Sequence, residues 1–184
     1  LGVVFNNEEV GSSSLNGADS DFLATNLKRI GKSLGFSNDE LSRALVKSYL
    51  VSLDNAHAIH PNHPEMSDNK NNCLINEGVV IKHNSNMLYT SEAISSAIIK
   101  LIASKENISL QTFFNRADAR GGSTLGNISL THVSIRSVDL GIPQLAMHSN
   151  YEVMGSKDTI NAYKLLKALF NSKIKIEGEN VTII

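Results

Sequence analysis

Short runs of apolar, strand-forming residues alternate along this chain with stretches of helical periodicity, and polar clusters recur where the runs end. Val3-Val4-Phe5 leads into Glu8-Glu9, Tyr49-Leu50-Val51-Ser52-Leu53 into Asp54, and Val79-Val80-Ile81 into Lys82. Gln111 to Phe114 reads as a further short strand, and 133–140 as another through Val133, Ile135 and Val138. Between them, 19–35 places Phe22, Leu23, Leu27, Ile30 and Leu34 at mostly helical spacing, with Gly35 positioned to end the helix. Ser37-Asn38-Asp39-Glu40 has the capping-box pattern for a second helix, running to about Lys47. Ser91 is expected to cap a helix with Ile94, Ala97, Ile98, Leu101 and Ile102 on one face. The last long helix, 156–171, is expected to turn Ile160, Tyr163, Leu166 and Phe170 inward, and Gly178-Glu179-Asn180 to form a hairpin turn after it. Strands separated by helices predict an α/β layered fold with polar groups gathered at strand ends.

A chain of 184 residues, 41% hydrophobic, fits one domain or part of one. Its net charge of -1 gives no bulk attraction to nucleic acid or an anionic membrane, so neither is expected as a partner. No apolar run approaches the roughly 20 residues that span a bilayer. Cys73 is the only cysteine, which excludes an intrachain disulfide and makes a cytoplasmic address the default expectation. The chain opens at Leu1, inside an expected strand, and a segment upstream is therefore expected.

The polar clusters carry the chemistry. Glu8-Glu9, Asp54 with His57, Lys82 with Tyr89, and His148 fall at expected element ends. Carboxylate and imidazole are the ligands that hold zinc or a similar ion, and two adjacent glutamates can divide the labour between ligation and proton transfer. The loop 55–76 is rich in Asn, His, Pro and Asp, and Pro61 and Pro64 forbid a regular helix there. His60 and His63 read as solvated or hydrogen-bonded loop residues. Gly121 to Gly126 lacks the ending of a phosphate-binding P-loop and reads as a packing or site-shaping turn.

Several motifs in one order sharpen this reading. Phe5-Asn6-Asn7-Glu8-Glu9-Val10-Gly11-Ser12-Ser13-Ser14, Gly17-Ala18-Asp19-Ser20 and Asp54-Asn55-Ala56-His57-Ala58-Ile59-His60-Pro61-Asn62 come first. Gly78-Val79-Val80-Ile81-Lys82, Asp118 with Gly122-Ser123-Thr124-Leu125-Gly126, and Asp139-Leu140-Gly141-Ile142-Pro143-Gln144-Leu145-Ala146-Met147-His148-Ser149 follow. Together they resemble the aspartyl aminopeptidase family of co-catalytic dizinc exopeptidases, over nearly the whole chain except its last dozen residues. The resemblance implies a layered zinc-exopeptidase-like α/β fold with a mixed central sheet flanked by helices. It implies hydrolysis of the N-terminal peptide bond, with preference for an acidic N-terminal residue. Glu8 would be the general base, Glu9 and His148 ligands of one metal ion, and Asp54 a ligand of the other. His57, Lys82 and Tyr89 would contact the peptide, with Lys82 attracting the acidic side chain. Two divalent ions are implied, Zn²⁺ foremost, with Mn²⁺ or Co²⁺ able to fill such donor sets. A homo-oligomer of dimers assembled into a dodecamer is implied as well.

The chain departs from the family's pattern at Asn6, where Asp is usual, so an orienting role for an acid there is not carried over. The family also draws a His and a metal-bridging Asp from upstream of the glutamate pair. Residues 1–184 are therefore expected to be the C-terminal portion of a peptidase catalytic domain, apart from its upstream segment and dimerisation domain. Two alternatives stay open: a related dizinc aminopeptidase of neutral or broad specificity, and a truncated module that binds or assembles without catalysis.

Overall fold

The computed structural model describes residues 1–6, 11–116, 118–119 and 121–184. Strands β1 (Tyr49–His57), β2 (Val79–His83), β3 (Leu110–Phe114) and β4 (Arg136–Leu145) form a sheet in the order β1-β4-β2-β3, and β5 (Val153–Met154) pairs with β4. The sheet is mixed. β1 runs parallel to β4 and β2 parallel to β3, while β2 and β4 are antiparallel with Ile81 opposite Leu140. Helices α1 (Phe22–Ser33), α2 (Asn38–Val46), α3 (Ala93–Lys105), α4 (Leu125–Leu130) and α5 (Ser156–Asn171) surround it. A separate hairpin, β6 (Ile174–Glu177) and β7 (Asn180–Ile183), turns at Gly178, whose φ of 64° suits glycine.

Because successive strand residues point to opposite faces, the strand sequences sort into two surfaces. On one, Val79, Ile81, Val138 and Leu140 pack with Ile98, Ile99 and Ile102 of α3 and Ala162 and Leu165 of α5. Each such buried aliphatic side chain contributes roughly 1.5–3 kcal/mol relative to exposure, so this face holds the core. On the other, Ser52, Asp54, Lys82 and Asp139 alternate with those apolar residues. Short α4 packs there against β1 and β4. Its Gly126 makes the approach possible, since an added Cβ would lie 2.6 Å from Ser52 Cβ and 2.8 Å from Asp139 Oδ1.

Several sequence expectations need correction. Val3 to Phe5 form no strand, and Val4 is 89% exposed; an apolar run becomes a strand only beside a pairing partner. The capping box at Ser37 and Glu40 is present, with Ser37 N donating to Glu40 Oε2 at 2.8 Å. Glu92, rather than Ser91, caps α3 by accepting from Ile94 N and Ser95 N. Leu101 and Ala97 lie outside the buried face of α3, and Ile99 lies within it. In α5 the period is right and the phase is wrong: Ile160, Tyr163 and Phe170 are exposed, while Asp158, Ala162 and Leu165 are buried. β1 continues to His57, so Asp54 sits within the strand and not at its end, because pairing with β4 carries the ladder on to Gln144. β4 starts at Arg136, later than the expected Val133, and runs to Leu145.

Candidate active site

The second face of the sheet opens into a cleft of about 800 Å³. Asp54 and His57 reach it from β1, Lys82 from β2, Tyr89 from the segment after β2, and His148 from the turn after β4. Five residues singled out from the sequence are thus brought together. Glu8 and Glu9 lie outside the described residues, and nearby Ser12 lines the cleft.

Among the described residues Lys82 is the most enclosed charge in the cleft, its side chain only 4% exposed. Its Nζ donates to Asn55 O at 2.9 Å, lies 3.5 Å from Asp54 Oδ2 and sits 5.3 Å from the centre of the Tyr89 ring. A buried ammonium is retained only where oxygens and a ring face replace its water, and these three groups do so. Gly141 of β4 lets them meet: a Cβ there would lie 2.7 Å from Ala56 Cβ and 3.0 Å from Asn55 C. With no side chain there, the face of the sheet stays open between β2 and β1, and Lys82 Nζ reaches Asn55 O across β4. Tyr89 packs with Ala56, Cys73, Val80 and Phe113, and burial raises its phenol pKa, against the effect of its hydrogen bond with Asn115.

His57 and His148 meet edge to face, ring centres 6.4 Å apart. Partial burial lowers the His57 pKa, with the neighbouring His148 and Lys82 adding to that effect and Asp54 opposing it. The backbone end of His57 is also tied, since Cys73 Sγ donates to His57 O at 3.0 Å. His148 adopts a left-handed backbone, φ 68°, which is costly outside glycine. Its N–H donates to Glu152 Oε1 at 2.6 Å, and that contact helps to hold the turn.

Asp54, with 47% of its side chain exposed, and His148 offer oxygen and nitrogen to the same cleft, and this donor chemistry fits a divalent ion. Among the described residues no group of three or more His, Cys, Asp or Glu converges closely enough to hold one. Neither His60 nor His63 lines the cleft; their rings pair with each other, 5.3 Å apart, on the exposed loop.

Sequence reasoning missed Asp139, Thr90 and Thr124 as parts of one structure behind the cleft. Asp139 is wholly buried, and its Oδ2 accepts from Thr90 N, Thr90 Oγ1 and Thr124 Oγ1. The available signal was a polar residue at an alternate position within an apolar strand, in Val138-Asp139-Leu140 as in Val51-Ser52-Leu53.

Sheet order and cleft together define a layered α/β domain with a polar cleft on one face of its sheet, and comparison with known proteins assigns it to a family. In structure the chain is similar to one partner in a complex described as Ape4 with Nbr1 (TM-score 0.86, 41% identity, covering 90% of this chain and 31% of that one). It is also similar to a structure described as the S. cerevisiae mApe1 dodecamer (TM-score 0.77, 27% identity, 91% and 36% covered). Residues 1–170 match the family model described as Aminopeptidase I zinc metalloprotease (M18), and the chain belongs to that family. A probable M18 family aminopeptidase 2 of Clostridium novyi is 48% identical over 169 residues, 92% of this chain and 39% of its own length. A probable aspartyl aminopeptidase of Ricinus communis is 40% identical over 180 residues, 95% of this chain and 37% of its own length. The chain thus spans about two fifths of the length of these curated relatives.

Proposed function

We propose that this chain is the C-terminal part of the catalytic domain of a metal-dependent aminopeptidase that removes acidic N-terminal residues from peptides. The observation that carries the reading is the convergence of Asp54, His57, Lys82, Tyr89 and His148 on one cleft from four separate parts of the chain. Family membership supports zinc as the metal. Glu9 and His148 would hold one ion and Asp54 a second, together with donors outside the described residues. Such ions supply Lewis acidity and lower the pKa of bound water. Glu8 takes the proton from the attacking water and returns it to the leaving amine. His57 and Tyr89 orient the peptide, and Lys82 favours a carboxylate side chain because a desolvated ammonium discriminates strongly by charge. By likeness to the dodecameric neighbour, the protein works as a homo-oligomer. No helix among the described residues is long and apolar enough to cross a membrane, and a cytoplasmic location is part of the proposal.

The test is a panel of Asp, Glu, Ala and Leu chromogenic amides, given to the intact protein and to Lys82→Ala with and without a chelator. The expected result is chelator-sensitive hydrolysis that favours Asp and Glu, with Lys82→Ala losing more on those two than on Ala and Leu. Equal losses on all four would remove Lys82 from specificity. Wild-type preference for Ala or Leu would make the protein a neutral or broad aminopeptidase, and no hydrolysis at all would make it a non-catalytic binding or assembly module.

A further inference from the structure

Behind the cleft, one carboxylate oxygen joins two segments that are distant in sequence. Asp139 Oδ2 accepts from Thr90 N at 2.6 Å, Thr90 Oγ1 at 3.1 Å and Thr124 Oγ1 at 2.8 Å. Its main chain is tied to the same region, since Asp139 N donates to Ser91 Oγ at 3.0 Å and Ser91 Oγ lies 3.3 Å from Asp139 O. Thr90 follows Tyr89, and Thr124 closes the run Gly122-Ser123-Thr124; Tyr89 and that run all line the cleft. Asp139, Thr90 and Thr124 are themselves buried, so solvent does not compete for these bonds.

Asp139 is not simply a satisfied core residue. Among the described residues its Oδ1 has no hydrogen-bond partner, and neither has the nearby buried Ser52 Oγ; a Cβ on Gly126 would lie 2.8 Å from each. Leaving carboxylate oxygen unsatisfied in a dry interior is unfavourable and rare. An apolar residue opposite Ser52 would fill the space without that cost, but it could not hold both segments.

We propose that Asp139 is a positioning residue of the cleft: it locks Tyr89 to the 122–124 segment, so that the two sides of the peptide site move as one. This rests on the reading of the cleft as a peptide site. Thr124→Val, which removes the hydroxyl at nearly constant volume, tests it in the intact protein, with Thr124→Ser as the variant that restores the bond.

Amide exchange is read at 89–91, remote from the substitution, and KM and kcat on the preferred substrate are read beside it. The expected outcome is about tenfold faster exchange at 89–91 and a several-fold rise in KM, both reversed by serine. Thr124 also caps α4, accepting from Asn127 N, but loss of the cap alone would quicken exchange only at 124–128. That pattern, with 89–91 unchanged, overturns the proposal. Thr124→Ala gives the same readout should Thr124→Val fold poorly, and unchanged exchange at 89–91 overturns it equally. A wild-type protein without hydrolysis sinks the peptidase reading, while the exchange data still decide whether Asp139 couples the two segments.

Discussion

Replacing Asp158 should loosen the start of β2, and with it the strand that carries Lys82. Asp158 lies in the first turn of α5 with no exposed surface, and its carboxylate accepts from Gly78 N at 2.8 Å and from Asn76 N. The junction is tight. Asn76 has φ 66° and Gly78 φ 120°, and its Oδ1 lets Asn76 accept from Lys157 N at 3.2 Å. A Cβ on Gly155 would lie 2.5 Å from both Asn76 Oδ1 and Asp158 Oδ2. A hydrogen bond to a charged group contributes roughly 1.5–3 kcal/mol, and a buried N–H left without an acceptor costs about 1–3 kcal/mol. Asp158→Asn keeps the shape but turns an amide nitrogen towards one of the two backbone donors, so a loss of about 2–3 kcal/mol is expected. Asp158→Ala, which strands both donors, should lose about 3–5 kcal/mol. Urea denaturation reads this directly. With a slope of about 2 kcal/mol per molar, the asparagine variant should unfold about 1–1.5 M earlier. A midpoint within about 0.2 M of the wild type would refute the reasoning, because it would mean that the two N–H groups find other acceptors.

Two further outcomes follow from burial. Cys73 is enclosed, and burial above all, with a smaller effect from Asp158, pushes its thiol pKa up to about 12. Alkylation at pH 8 should therefore track unfolding, and rapid modification of the native protein would contradict the packing. His83 stacks on Phe114 with ring centres 5.0 Å apart, and its pKa is lowered from 6.5 chiefly by burial and secondarily by Lys100. The unfolded chain therefore takes up this proton first as pH falls, so the contribution of His83 to stability is present above 6.5 and declines below it, towards the folded value. An NMR titration of the His83 ring should give a midpoint below 6.5; one at 6.5 would abolish the effect and one above it would reverse the sign.

What the sequence made legible was local. The Ser37 capping box and the turn at Gly178 are written in neighbouring residues, and both formed. The buried phase of α5 is not local. Its helix carries apolar residues on more than one side, and contact with α3, β2 and β4 selects Ala162 and Leu165 over Tyr163 and Phe170. The end of β1 depended on its partner in the same way, since only the register with β4 carries it past Asp54 to His57. For the candidate site, no single motif sufficed. Several motifs in order indicated which side chains belong together, but not that Lys82 would stand against Asp54 and Asn55 O, a contact that depends on the bare backbone of Gly141.

The mixed order of the sheet explains why the cleft lies across a face of the strands as well as at their ends. Parallel β1 and β4 deliver His57 and, after the strand, His148 to one edge. Antiparallel β2 runs the other way, so Lys82 enters from mid-sheet and must reach across β4 to Asn55 and Asp54. That reach requires little bulk on the intervening strand, and Gly141 supplies the gap. The polar residues of this face would normally oppose burial, yet α4 covers part of it, with Gly126 seated against Ser52 and Asp139. The two glycines therefore play different parts: one lets a helix close over the buried polar groups, while the other leaves room on the intervening strand for a buried cation to reach its partners. The alternation of Ser52 with Leu53, of Lys82 with Ile81, and of Asp139 with Leu140 follows from this division, in which the same three strands present an apolar face to α3 and α5 and a chemical one to the cleft.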